Sequence, residues 1–242
     1  MESTLVAKQA TDFKRGVQSG ISIAIGYMPV ALTFGLIAKT TGLALSETIM
    51  MSLLVFAGAA QYISLSLLAQ GIGIFEVILT TFIVNIRHFL MSASLNEKAE
   101  EDTVAERMGY SFGITDETFS VAATREGTIN ARYMFGLNLT AYSSWVVFSG
   151  LGFIIGAGLP QTLQESMSVA LYAMFVGLLV PSMKGNVKVV YLAVLAAAFN
   201  SIFTMAELMS TGWAIVLATL LSAILVEVVE TFKKGRRAET DE

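Results

Sequence analysis

The feature that most limits what this chain can fold into is a succession of apolar blocks, each about as long as a bilayer is thick. A helix needs about 20 mostly apolar residues to cross the hydrocarbon core. Seven segments meet that length: Val17–Ala38, Ser46–Ala69, Ile74–Leu95, Arg132–Ala157, Leu163–Ser182, Val187–Phe203 and Thr211–Thr231. An eighth, Arg107–Ala123, is shorter and more polar and reads as a tilted span, a re-entrant segment or a surface helix. Only 14% of the 242 residues are charged, against roughly 25% in a soluble domain, too few to coat a water-facing surface. The fold class is therefore all-α: a polytopic transmembrane bundle of about seven to eight helices, some broken or re-entrant, in one membrane domain over 1–242.

Glycine and proline punctuate the blocks at Thr41-Gly42, Gly71-Ile72-Gly73, Gly158-Leu159-Pro160 and Lys184-Gly185-Asn186. Ser46-Glu47 reads as a helix start with an acid in the first turn. Lys8, Lys14 and Arg15 precede the first span, and Lys233, Lys234, Arg236 and Arg237 follow the last. Positive charge near span ends marks the cytoplasmic side, so both termini are expected there. That requires an even number of crossings. Eight, with Arg107–Ala123 included, places Arg125, Arg132, Lys184 and Lys188 inside and the acidic loop Asn96–Glu106 outside; if that stretch does not cross, a second candidate must fail with it. The start of the chain lacks the plan of a cleaved signal peptide. An offset of about 115 residues lays Gly35 on Gly150, Ser46 on Gln161 and Asn85 on Asn200, suggesting repeat halves 17–124 and 130–231. Duplication of this kind is common in secondary transporters, whose site lies between the repeats.

The polar residues inside these blocks are the candidates for chemistry. Gly26-Tyr27-Met28-Pro29 sits mid-span, where proline removes a backbone donor and is expected to kink or break the helix. The break would either offer backbone groups to a substrate or serve packing alone. Gln61, within Phe56-Ala57-Gly58-Ala59-Ala60-Gln61-Tyr62, either faces a substrate or bridges helices. Asn85-Ile86-Arg87-His88 carries a charge that costs at least ~2.5 kcal/mol at a helix centre unless paired or snorkelled. Arg87 could clamp a carboxylate or pair with Asp116 or Glu117; His88, with an ordinary pKa near neutrality, is a candidate proton switch or a helix-bridging group. Asp116 and Glu117 are the candidate proton carriers if their segment lies in the membrane. Gly16-xxx-Gly20 and Gly152-xxx-Gly156 have helix-packing spacing.

Other chemistries leave no trace. With no cysteine and one histidine, thiolate catalysis and a His- or Cys-built metal site are excluded. No nucleotide-phosphate loop, HExxH or GxSxG motif occurs, so neither a cofactor nor an enzymatic role is indicated.

Three blocks carry a family resemblance: SLLVFAGAAQYISL at Ser52–Leu65, FIVNIRHFLMSASL at Phe82–Leu95 and ITDETFSVA at Ile114–Ala122. With Gly35 following the Pro29-bearing span, they resemble in order and spacing the AzlC family of bacterial branched-chain amino acid permeases, over roughly residues 17–180. Met91-Ser92 departs from the aromatic-plus-glycine pair expected there. The resemblance implies export of valine, leucine, isoleucine or methionine across the bacterial inner membrane, together with a small hydrophobic subunit of the AzlD (YgaH-like) type. Substrate contacts are then expected from Gly26, Tyr27, Pro29, Gln61, Asn85 and Arg87, and proton coupling from His88, Asp116 and Glu117. A passive channel and a non-transporting scaffold subunit are the alternatives.

Overall fold

The computed structural model describes residues 2–155 and 186–238, with scattered positions between them (158, 160, 162, 169, 173, 176, 177, 179, 180, 183 and 184). The described residues form helices without strands. In chain order these are α1 Glu2–Thr40, α2 Leu45–Leu54, α3 Gly58–Ala69, α4 Ile74–Asn96, α5 Val104–Ser111, α6 Asp116–Thr124, α7 Ala131–Ile155, α8 Val187–Met205 and α9 Thr211–Ala238. Five stretches are long and apolar enough to cross a bilayer: Thr11–Thr40, Ile74–Asn96, Ala131–Ile155, Val187–Met205 and Thr211–Thr231. The candidate Leu163–Ser182, like Gly156 of the second glycine pair, falls among positions that lie largely outside the described residues. The predicted turns at Gly42 and Gly71 are present. Both glycines have positive φ, +93° and +69°, and the next amide returns to the carbonyl five residues back (Leu43 N to Ala38 O, 3.0 Å; Ile72 N to Leu67 O, 3.1 Å), closing each helix end.

Contacts divide the chain into two compact units, Met1–Leu65 with Asn85–Met174, and Ser66–Val84 with Phe175–Glu242. In the first, α1 and α7 are the axis. Gly16 abuts the Tyr133 carbonyl, Gly20 the Leu137 carbonyl and Thr140, and Gly35 the backbone from Ser149 to Phe153. Ser144 Oγ donates to the Ala24 carbonyl at 2.7 Å. The paired numbers rise together, so the helices run parallel, with backbones touching where a side chain would not fit. Gly16, Gly20 and Gly152 thus pack helices, as their spacing predicts.

Two expectations need correction. First, α1 does not break at Gly26–Pro29; it is one helix through Thr40. Proline deletes a single donor, the one that would have met the Ile25 carbonyl, and the α7 seam brackets the position on both sides, at Gly20 and Ala24 before it and at Gly35 after it. Second, Ser46–Ala69 is a hairpin rather than a crossing, while Arg107–Ala123, which the sequence leaves open between a tilted span, a re-entrant segment and a surface helix, forms a hairpin of two short helices. α2 descends along α7, with Ile49 over Gly150 and the Leu53 carbonyl receiving Tyr142 OH at 2.8 Å. The chain turns at Val55–Ala57, where Ala57 N meets Val55 O at 2.9 Å. α3 then climbs back: Gly58 lies under the Trp145 ring, and Tyr62 OH reaches the Val30 carbonyl at 2.7 Å. Gln61 Nε2 meets Ser52 Oγ at 3.3 Å, although nine residues of unbroken helix would separate them by about 13.5 Å.

The second hairpin, α5–α6, opens at the other end. Arg107 Nη1 donates to Asn96 Oδ1 at 2.7 Å. Lys98 Nζ donates to the Ala123 carbonyl at 2.8 Å and to that of Arg125. Both legs therefore start at the α4–α5 connection, beside the start of α7. Thr103 and Glu106 cap α5 reciprocally, and the hydrogen bond from the Thr103 hydroxyl holds the Glu106 carboxyl below its ordinary pKa. The tip, Phe112–Thr115, reaches Asn138 and Tyr142, roughly 10–17 Å from that end at 1.5 Å per residue. This is about the middle of a ~30 Å bilayer core.

In the second unit α8 and α9 pack on each other, and Lys188 pairs with Glu227 at 2.5 Å. Glu76, in the first turn of α4, accepts from Ser210 Oγ and from the Trp213 amide at 3.2 Å. It thereby caps the start of α9 from another helix.

Candidate functional site

The two hairpin tips meet around Tyr27. Its ring packs edge-on against Phe56 of the first tip (6.1 Å between centroids) and against Trp145 (5.2 Å). Its hydroxyl lies 2.7 Å from Thr115 Oγ1 and donates to Glu117 Oε2 at 2.6 Å, both on the second tip. Tyr142 sits against both tips, 5.2 Å from Phe56 and 5.9 Å from Phe112. The sequence places these groups here for a local reason. Thr115 accepts from the Thr118 amide and so starts α6, which leaves Asp116 and Glu117 in its first turn, where the helix dipole favours acids.

Beside Tyr27 the charges pair. Arg87 Nη1 lies 2.9 Å from Asp116 Oδ2, joining the third apolar block to the second hairpin. His88, next to Arg87 on α4, is partly buried. The pairing leaves capacity unused: Arg87 Nε, Asn85 Oδ1 and, at the second tip, Asn138 Oδ1 are buried without a hydrogen-bond partner among the described residues. The first turn of α3 begins at Gly58 with no acid in it, and its leading amides have no intrahelical acceptor.

Of the residues singled out in the sequence, Tyr27, Arg87, Asp116 and Glu117 converge at one place, with His88 beside them. Gln61 is fully buried and occupied at both ends: it accepts from Trp145 Nε1 at 2.7 Å and donates to Ser52. It fastens the first hairpin to α7 directly behind the tip. Gly26 lies on an open face of α1, with nothing within 4 Å of where a Cβ would stand. Pro29 stays in regular helix. Tyr142, Trp145 and Thr115 were not singled out. The signal for the first two was present in Ala141-Tyr142-Ser143-Ser144-Trp145, a polar-tipped run mid-span, since a hydroxyl or indole N–H there must find a protein partner. Among the described residues no cluster of three or more metal-ligating side chains occurs. The site thus brings an arginine and two carboxylates together beside an aromatic wall, with buried groups that lack partners among the described residues.

The AzlC protein family matches residues 22–159, which contain both hairpins, α4, α7 and the second half of α1. The chain is 32% identical over 217 residues to an uncharacterized membrane protein of Archaeoglobus fulgidus, covering 88% of this chain and 93% of the other. It is 28% identical over 237 residues to the inner membrane protein YgaZ of Escherichia coli, covering 95% of each. To the branched-chain amino acid transport protein AzlC of Bacillus subtilis it is 25% identical over 148 residues, 60% of this chain and 58% of that one. No solved structure matches.

Proposed function

The chain belongs to the AzlC family of membrane proteins, and from that premise we propose that it is a secondary exporter of branched-chain amino acids. The observation that carries this reading is the convergence of two oppositely inserted hairpin tips on the Arg87–Asp116 and Tyr27–Glu117 pairs. A zwitterion can enter that arrangement with its charges matched. Its carboxylate takes Arg87 and the free amides opening α3, where the helix dipole adds attraction. Its ammonium takes Asp116 or Glu117, and its aliphatic side chain lies against Phe56, Phe112 and Tyr142. Valine, leucine, isoleucine and methionine suit such a wall. Proton coupling falls to Asp116, Glu117 and His88, which exchange partners when the guest arrives. Each hairpin opens toward one face, so withdrawing one tip exposes the site to that face only. The packed aromatics between the tips disfavour a permanently open channel.

The proposal extends to a bacterial inner-membrane location with both termini cytoplasmic, following the Lys/Arg bias, and to a small AzlD/YgaH-like subunit completing the exporter. The test is valine counterflow in proteoliposomes containing the chain with that subunit. Arg87→Ala, Asp116→Asn and Tyr27→Phe should each lower the rate about tenfold or more, the worth of a charge-assisted contact. Unchanged counterflow in all three would remove the site; conductance without counterflow would favour a channel.

A further inference from the structure

At the end of the first unit where α1, α6 and α7 come together, and away from the Tyr27 site, there is a cavity of about 500 Å³ lined by Arg15, Gln18, Ser19, Thr124, Arg125 and Tyr133. We infer that it binds the phosphate group of an anionic lipid.

Several observations converge on that chemistry. Arg15, Gln18 and Ser19 stand one helical turn apart on one face of α1, so their donors point into the same space. Arg125 closes the opposite wall with its guanidinium 4.0 Å from the centre of the Tyr133 ring. Held over the ring, the guanidinium keeps its donors at its rim, where an oxyanion binds, and Asp12 engages one of them at 3.8 Å. One edge atom, Nη1, is buried without a hydrogen-bond partner among the described residues. The carboxylate paired with both arginines is Asp12, which is not among the residues that line the cavity. It is buried and holds Arg15 at 3.5 Å, Arg125 at 3.8 Å and Asn130 Nδ2 at 2.9 Å. One carboxylate between two arginines leaves the cluster with a net positive charge and orients both forks.

The depth selects a lipid over a free anion. Arg15 is in the first turns of the apolar stretch beginning at Thr11, and Tyr133 is in the first turn of α7, which puts the cavity at headgroup level. From Gln18, the exposed apolar side chains Ile21, Ile25 and Met28 continue along α1 toward mid-membrane at helical spacing. They form a strip along which an acyl chain lies while its phosphate occupies the cavity. Basic pockets between helices at this level are the sites expected for anionic headgroups.

The experiment uses the full chain purified in neutral detergent and measures thermal midpoint and retained lipid after adding phosphatidylglycerol, phosphatidylcholine or inorganic phosphate. Phosphatidylglycerol should raise the midpoint and be retained, while phosphatidylcholine and inorganic phosphate do neither. Arg125→Gln should weaken retention about tenfold, the usual loss of a charge-assisted pair. Arg15→Gln, at an exposed position that folds readily, should weaken it severalfold; Arg15→Lys should restore part. Equal retention by wild type and both glutamine variants would overturn the inference, as would equal stabilisation by phosphatidylcholine. Stabilisation by inorganic phosphate with no lipid retained would overturn the lipid as the source of the anion.

Discussion

Replacing Gln61 with leucine tests whether the first hairpin is fastened to α7 as described. The two side chains are nearly equal in volume, so the change leaves little cavity and acts on hydrogen bonding. Trp145 Nε1, 2.7 Å from Gln61 Oε1, would be left in a pocket where both residues are at most 2% exposed. An unpaired buried donor costs ~1–3 kcal/mol in soluble proteins. Interhelical bonds in a membrane protein average ~0.6 and reach ~1.7 kcal/mol, because the unfolded chain also finds partners in the bilayer. The weaker bond to Ser52 is lost as well, so the expected destabilisation is about 1.5 kcal/mol. Trp145→Phe removes the donor but also ring contacts to Tyr27 and Phe34, so its own cost is larger. The pairwise part follows from the cycle of both single variants and the double variant, with an expected coupling of about 1 kcal/mol. Reversible unfolding in mixed micelles, titrated with a denaturing detergent and followed by far-ultraviolet circular dichroism, gives all four values. Additivity within about 0.3–0.5 kcal/mol would show that Gln61 and Trp145 do not hold each other, and the fastened hairpin would be refuted.

Three further expectations follow from the same geometry. The chain has no cysteine, so single cysteines at Leu43 and Gln70 should react with an impermeant maleimide from one face and cysteines at Lys98 and Glu126 only from the other; Leu43 and Gln70 on opposite faces would restore a crossing at 46–69. Gly26→Ala should be neutral or stabilising by up to ~1 kcal/mol from helix propensity. Gly35→Ala drives a methyl into the Ser149 backbone and should cost ~1–3 kcal/mol; a thermal midpoint compares the two, and equal effects would contradict the seam. The Glu106 carboxyl is held below its ordinary value by Thr103, so its capping contribution is present above the usual carboxylate range and lost as pH falls through the lowered folded value. The stability gap between wild type and Glu106→Gln should close on acidification below pH 4.5, the group's reference value, and a gap that widens would reverse that sign.

The helices themselves were legible because apolar length is a property of the sequence alone. The breaks within them were not, and Pro29 and Phe56-Ala57-Gly58 show why. Proline is the strongest local breaker, but α1 lies in a glycine-lined seam with α7, and that packing outweighs one missing hydrogen bond. The block Ser46–Ala69 has no proline and only Gly58 as a weak point, yet it reverses, because a reversal lets Gln61 reach Trp145 and Tyr62 reach Val30. Those partners are 84 and 32 residues away, and no local pattern announces them. Arg107–Ala123 was better marked, since Gly113 and the capping threonine Thr115 stand where its two short helices part. At the site, Arg87 and Asp116 were readable as a pair because an unpaired charge in a span is costly. Tyr142 and Trp145 were hidden among the many aromatics of an apolar chain.

The polar groups that break the apolar rule divide by what remains unspent on them. Gln61, Tyr62, Ser144 and Trp145 have protein partners within 2.7–3.3 Å; they fix the frame and have little left for a guest. Arg87, Asn85 and Asn138 each keep one buried atom without a partner among the described residues, and α3 opens on amides that nothing in its own helix can accept. In water such remainders would be satisfied by solvent at small cost. Inside a bilayer each such remainder is costly and calls for a partner, whether an ordered water, another chain or a guest. A small molecule bearing a carboxylate and an ammonium fills donors and acceptors together, where an apolar solute would fill neither and a simple cation or anion only one kind. Others of this kind lie away from the hairpin tips, at Thr80, Asp102, Arg107 and Arg125, so what distinguishes the tip site is that Arg87 and Asn138 stand there beside the carboxylates of Asp116 and Glu117, the combination on which the proposed zwitterion rests.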